Sequence, residues 1–391
     1  MDNPTFTKKR RDPPGLSVAF EIDFMVAKWR RKARRSPGGA VSGGRWACPA
    51  LAENPTADIL RHCTSVLNSG GIKAAAQESQ PADQHALWDN NAIDSWLLQP
   101  SSRAVPREDA PPEFEWVGVK LRSPLLPHAK AMVDKPSFKR CIAALQMAVH
   151  MHVNSTCQFN AFVQPAEGRM DHSAAKRLAT LILLLEKHLL LPLNPSAARS
   201  MLVTEHSKLA KGRKSTRSRN PHVLASLQHH VSRIHDRALY GQLLHLWGCR
   251  DLNEVADLLC SSDGQPLAFS LQLYRDSQAR RCQADSSNCL AAFRYALWHP
   301  YEQLDVTELW LRLLISICAA SQSEEKLFAD FAMQTHEMTT WLDKAGSTDD
   351  ESLPALLHRF NLSGDESAWR KVRGAYRRGR PVSSCKDHSH S

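Results

Sequence analysis

Glu21 and Asp23 stand two residues apart inside an apolar, aromatic-rich run at residues 16–27 (LSVAFEIDFMVA). Such a run reads as a strand, and side chains two apart on a strand leave the same face of a sheet. Two carboxylates presented together are oxygen donors of the kind a hard divalent ion such as Mg²⁺ takes. An acid pair on a strand is also what an ordinary solvated face looks like, so the pair alone does not decide. His150 and His152 form a second pair at the same spacing, and imidazoles so placed could bind zinc. No third ligand stands near them in the sequence. Cys157 has no neighbouring base and nothing to lower its pKa, and reads as a buried structural thiol.

These residues need elements to hold them. Residues 114–121 (FEWVGVKL), 156–163 (TCQFNAFV) and 288–297 read as further strands. Helices are expected over 56–67, with Thr56 as cap, over 135–149, and over 173–191, with Ser173 as cap. Others are expected over 222–237, 252–261, 305–321 and 323–344. Residues 1–15 read as a basic tail, and 28–57, 98–113 and 208–220 as loops or insertions. The main domain is expected over 16–345, with a C-terminal extension over 346–391 whose end, from 370, is a basic polar tail. Strands interleaved with helices suggest an α+β domain.

Composition narrows the class. With 391 residues the chain is long enough to bury a core without staples. The ten cysteines include no CxxC pair, which argues against a structural zinc site. The N-terminus shows Lys8, Lys9, Arg10 and Arg11 where a secretory signal would be apolar. The most apolar stretch, 178–193, is broken by Glu186, Lys187 and His188 and is too short to span a bilayer. The expectation is a cytoplasmic protein with reduced thiols and no membrane partner; Lys8–Arg11 also has the composition of a nuclear import signal.

The net charge of +10 gathers in clusters at residues 8–11, 30–35, 208–219 and 370–380, with Trp29, Trp369 and Tyr376 among them. Basic residues with interleaved aromatics can bind nucleic acid. No recognition motif accompanies them, so the expectation is solvated loops and tails rather than a nucleic-acid partner.

Five segments taken in order carry a resemblance. A-F-E-I-D-F at 19–24 is similar to G-V-E-L-E-F, and W-V-G-V-K-L-R-S-P-L-L at 116–126 to W-x-G-V-E-x-V-S-P-x-L. N-S-T-C-Q-F-N-A-F-V-Q at 154–164 is similar to N-x-T-C-G-L-H-V-H-V-G. The helix at 184–200 fits a segment ending in x-P-x-x-x-R, and L-A-A-F-R-Y-A at 290–296 resembles T-x-E-F-R-Q-H. Together they resemble the fungal amidoligases, ATP-dependent carboxylate–amine ligases with a glutamine-synthetase-like fold, over roughly residues 16–320.

The resemblance implies a mixed, largely antiparallel sheet flanked by helices. It implies ATP and Mg²⁺ as cofactors, with a carboxylate and an amine, small molecules or a peptide, as substrates. Cationic groups and the metal would offset charge developing on phosphate oxygens. By resemblance, Glu21 and Asp23 would bind the metal and nucleotide, and Arg294 would contact phosphate or a substrate carboxylate. Lys120 and Asn160 occupy the remaining catalytic positions, but as departures. Lys120 stands where an acid is expected, and Asn160 and Phe162 where histidines are. Gln158 and Gln164 replace glycines, and Ala292 and Ala296 replace an acid and a histidine. Lys120 turns attraction for a dication into repulsion, on the order of 4 kcal/mol per unit charge at about 4 Å and an effective dielectric near 20; alternatively it could touch phosphate itself. The expectation is therefore a divergent ligase of weakened, altered or lost activity. The alternatives are a non-catalytic relative kept as a binding or scaffold module, and a basic nucleic-acid-binding protein. Oligomeric state is not legible.

Overall fold

The structure is a computed structural model. It describes residues 15–31, 44–78, 95–108, 110–128, 137–154, 156–166, 170–193, 202–211, 236–275, 287–297, 304–345 and 349–377. Its centre is a nine-stranded sheet of β1 (Leu16–Trp29), β2 (Ala74–Ala76), β3 (Trp96–Pro100), β4 (Phe114–Arg122), β5 (Leu126–Pro127), β6 (Met151–His152), β7 (Gln158–Pro165), β8 (Phe269–Arg275) and β9 (Ser287–Leu297). The order is β2-β3-β4-β1-β7-β9-β8, with β5 and β6 pairing to β1. Every pairing is antiparallel except β2 with β3. The class is thus α+β, a mixed and mostly antiparallel sheet flanked by helices, as expected.

β1 organises the molecule because its two faces differ in chemistry. Leu16, Val18, Phe20, Ile22, Phe24 and Val26 alternate along one face and are buried. They share one apolar cluster with Ile59, Leu60 and Cys63 of α1 (Pro55–Ser69) and with Phe138, Cys141 and Ile142 of α2 (Ser137–Ala148). Leu178, Ile182 and Leu185 of α3 (His172–Leu185) complete that side. The rings of Phe20, Phe138 and Phe159 meet at 5.6–5.8 Å, and burying such side chains contributes roughly 1.5–3 kcal/mol each. The opposite face carries Ala19, Glu21, Asp23 and Ala27. Of its apolar residues, Ala19 clusters with Phe162, Leu290 and Ala292, and Ala27 with Ala47 and Phe114, while Met25 joins the main cluster.

Two helix caps differ from expectation. Asn54, not Thr56, caps α1, accepting from Ala57 N at 3.1 Å with Pro55 at the first position. Proline has no N–H to leave unpaired there, so it fixes the start one residue before Thr56. Asp171, not Ser173, caps α3, accepting from Ala174 N at 2.6 Å; a carboxylate at that end also complements the helix dipole. The helix expected over 222–237 lies outside the described residues up to Asp236, which caps α6 (Arg237–Trp247) after two short helices, α4 (Val203–His206) and α5 (Lys208–Lys211).

The loop expected over 98–113 begins inside β3, and Lys208–Lys211 is helical rather than loop. α7 (Leu252–Leu258), α8 (Leu304–Ser321) and α9 (Glu325–Ala345) lie where helices are expected. α10 (Asp349–Arg359) and α11 (Glu366–Arg377) follow, so the basic run after 370 is helical to Arg377 rather than a tail. α11 is anchored by Trp369, fully buried and edge-on to Trp310 at 5.4 Å. Among the described residues, no helix is long and apolar enough to cross a membrane.

Candidate functional site

The strand registers gather the five expected site residues on the polar face of the sheet. Glu21 on β1 lies opposite Arg122 on β4 and Asn160 on β7. Asp23 lies opposite Lys120, which in turn faces Gln99 on β3. Arg294 follows on β9 beside the bulge that interrupts the β7 register between Phe159 and Ala161. Three neighbouring strands therefore supply one row, Arg122–Glu21–Asn160, with Lys120 and Asp23 in the row beside it.

Glu21 is the hub. Asn160 Nδ2 donates to Glu21 Oε2 at 3.4 Å, Lys120 Nζ lies 4.0 Å from the same oxygen, and Arg122 Nε lies 3.7 Å from Oε1. Burial pushes the Glu21 carboxyl up, but Lys120, Arg122, Arg294 and the Asn160 amide together outweigh it and hold the group below the ordinary carboxylate range. The guanidinium groups show the reverse. Burial pulls both Arg122 and Arg294 down to about 10, with Glu21 acting against it, and both stay charged at neutral pH. Arg294 is aligned by Nη1, which donates to Ser270 Oγ at 2.7 Å and to Leu267 O at 3.1 Å.

Asp23 has a different environment. It is buried, and Ser101 Oγ donates to its Oδ1 at 2.8 Å. Burial pushes its carboxyl up to about 6, against the opposing pull of Lys120 and Ser101. Residues 101–105 form a strap over this end of the face. Ser101 N donates to Gly118 O at 2.9 Å, and Thr156 Oγ1 and Asn154 Nδ2 both donate to Val105 O.

Asp23 gives a stability signature. The folded state holds its proton more tightly than the unfolded chain, whose carboxyl titrates near 4. That stability is present in full below about pH 4 and is lost as pH rises through about 6. Asp23→Asn keeps an acceptor for Ser101 and removes the loss. It is expected to match the wild type in urea unfolding at pH 3.5 and to exceed it by up to about 3 kcal/mol at pH 7.5. Equal stability at both pH values would contradict the assignment.

The remaining sequence candidates divide clearly. Cys157 is buried with its thiol pushed up to about 12 by desolvation, which fits a structural role. His150 packs against Phe114 and Trp116, and His152 against Trp116. Among the described residues no group of three or more His, Cys, Asp or Glu converges as a metal site. Phe162 packs with Ala19, Leu290 and Ala292. Sequence reasoning missed Arg122 and Ser101. Arg122 repeats on β4 the two-residue spacing of Glu21 and Asp23, and that was the available signal; Ser101 carried none.

No protein-family model, curated protein or solved structure matches the chain. The site is judged on its own chemistry. The carboxylates do not fit Mg²⁺. A dication beside Glu21 would sit near the Lys120 and Arg122 cations, and one beside Asp23 would meet Lys120 directly across the ladder. Each like-charge approach at about 4 Å costs on the order of 4 kcal/mol per unit charge at an effective dielectric near 20.

Proposed function

We propose that the chain is a ligase-like binding module, a divergent relative of the fungal amidoligases with a glutamine-synthetase-like sheet, in which ATP- and Mg²⁺-dependent amide formation has been given up. The observation that supports this reading is the Lys120 ammonium. It projects from β4 toward both carboxylates that would otherwise receive a metal, 4.0 Å from Glu21 and directly across the ladder from Asp23. A tethered cation there replaces a free one. Lys120, Arg122 and Arg294 outnumber the two acids, so the face attracts anions. A nucleic-acid partner receives no such support. Many described surface cations are already paired, Lys28 with Glu115, Arg250 with Glu254, Arg312 with Asp365 and Arg370 with Glu366.

The decisive assay supplies ATP, Mg²⁺, a glutamate-like carboxylate and a primary amine. ADP release is expected to stay at the no-enzyme baseline, and Mg²⁺ is expected to leave the melting temperature unchanged. Robust carboxylate-dependent ADP release would overturn the non-catalytic reading and restore the ligase.

A further inference from the structure

We infer that residues 101–105 are a proton-operated strap, closed over one end of the polar face in acid and released toward neutral pH, with Asp23 as its latch. The inference concerns access to the face and does not depend on what the face binds.

The path of the strap carries the argument. It leaves β3 after Pro100, passes over Gly118 of β4 and Asp23 of β1, and ends against Asn154 and Thr156 just ahead of β7. In the sheet those strands are consecutive neighbours, so the strap lies across the ladders rather than within one. Ala104 is the residue it gives to the apolar core, while Ser102, Arg103 and Val105 are exposed. Its far end is held by side chains. Val105 N donates to Thr156 Oγ1 at 3.0 Å, and Asn154 Nδ2 donates to Val105 O at 2.9 Å. Segments with few buried apolar contacts are the ones that open locally while the rest of a fold stays closed.

Beneath the strap lies the Asp23 carboxyl, 1% exposed, and the Ser101 hydroxyl that donates to it belongs to the strap itself. Charged and titratable groups face Asp23 from each element packed against it. Lys120 faces it from β4, Glu21 precedes it on β1, Arg103 acts on it from the strap, and the Cys157 thiol lies beside it ahead of β7. His152 of β6, opposite Met25, is the next such group along the face. Lys120 and Arg103 favour the carboxylate anion, and Glu21 opposes it. Burial outweighs the cations, so under the closed strap the proton stays on until about pH 6. Lifting the strap admits water, and a hydrated carboxyl titrates near 4. The closed form is therefore favoured in acid, and that advantage is lost as pH rises through about 6. The opening equilibrium grows by up to about a hundredfold in all, and by about tenfold between pH 5.0 and 7.5.

Amide hydrogen exchange of the full chain, read by mass spectrometry at pH 5.0 and 7.5, tests this. Each rate is divided by the intrinsic exchange rate at that pH, which leaves the opening equilibrium. Protection of the 101–105 amides is expected to fall about tenfold from pH 5.0 to 7.5. At both pH values the strap is expected to be far less protected than β1. Asp23→Asn is expected to hold the strap near one level of protection at both. Strap protection that does not change with pH would overturn the inference. So would strap protection equal to that of β1, because the strap would then open only with the whole fold. A pH response retained in Asp23→Asn would also overturn it, because another group would be the latch. Should that variant fail to fold, the pH response of the wild-type strap and its comparison with β1 decide.

Discussion

Glu21→Gln is expected to lower the unfolding free energy by about 3–5 kcal/mol at pH 7, the cost of removing one member of a buried charge network. The substitution changes almost no volume. It leaves Lys120, Arg122 and Arg294 without the carboxylate that all three surround. Burial already depresses both guanidinium groups to about 10, so their charge is poorly solvated before the change. Urea unfolding gives the loss directly. Added phosphate or sulfate should recover part of it, because either anion replaces the missing charge. A loss under about 1 kcal/mol would mean that water screens the cluster and that Glu21 is not its hub.

Gly118→Ala is expected to cost about 3 kcal/mol, at the upper end for forcing atoms into a packed site. A Cβ at this position would lie 2.2 Å from Ser101 O and 2.5 Å from Ala104 O, both backbone atoms of the strap. Neither belongs to a side chain that could swing aside. The strap must lift, which breaks the Ser101 N to Gly118 O bond and withdraws the Ser101 hydroxyl from Asp23. A second signature separates this from simple overpacking. With the strap lifted, water reaches Asp23 and the fall in stability between pH 4 and pH 6 should flatten. Unchanged amide exchange at Ser101 together with unchanged stability would show that the strap does not press on β4.

The sheet was legible where strands are long enough to show alternation. β1, β4, β7 and β9 run 8–14 residues and carry clear patterns. β5 and β6 are two residues each, and β2 is three alanines. Such pieces exist because a neighbouring strand supplies their hydrogen bonds, and nothing within them announces it. β8 was a different kind of miss, since Phe269, Leu271 and Leu273 alternate with polar residues and the pattern was there to read. In the site, Glu21, Asp23, Lys120, Asn160 and Arg294 sit on strands whose alternation put them on one face. The partners that set their charge states come from elsewhere. Arg122 acts through a cross-strand register, and Ser101 through a loop whose path depends on the missing side chain at Gly118.

The placement of β1 also has a consequence for how the protein is made. Among the described strands, the earliest in sequence is the middle one, and its neighbours follow late. Phe20 N bonds the Ser123 hydroxyl 103 residues downstream, and Glu21 meets Asn160 139 residues downstream. Until those segments leave the ribosome, the apolar sequence Leu16–Trp29 has both edges open, the kind of segment that pairs with other copies of itself. Contacts this distant in sequence also slow folding. Yield in a cell should therefore respond to translation rate and to chaperones that shield nascent chains.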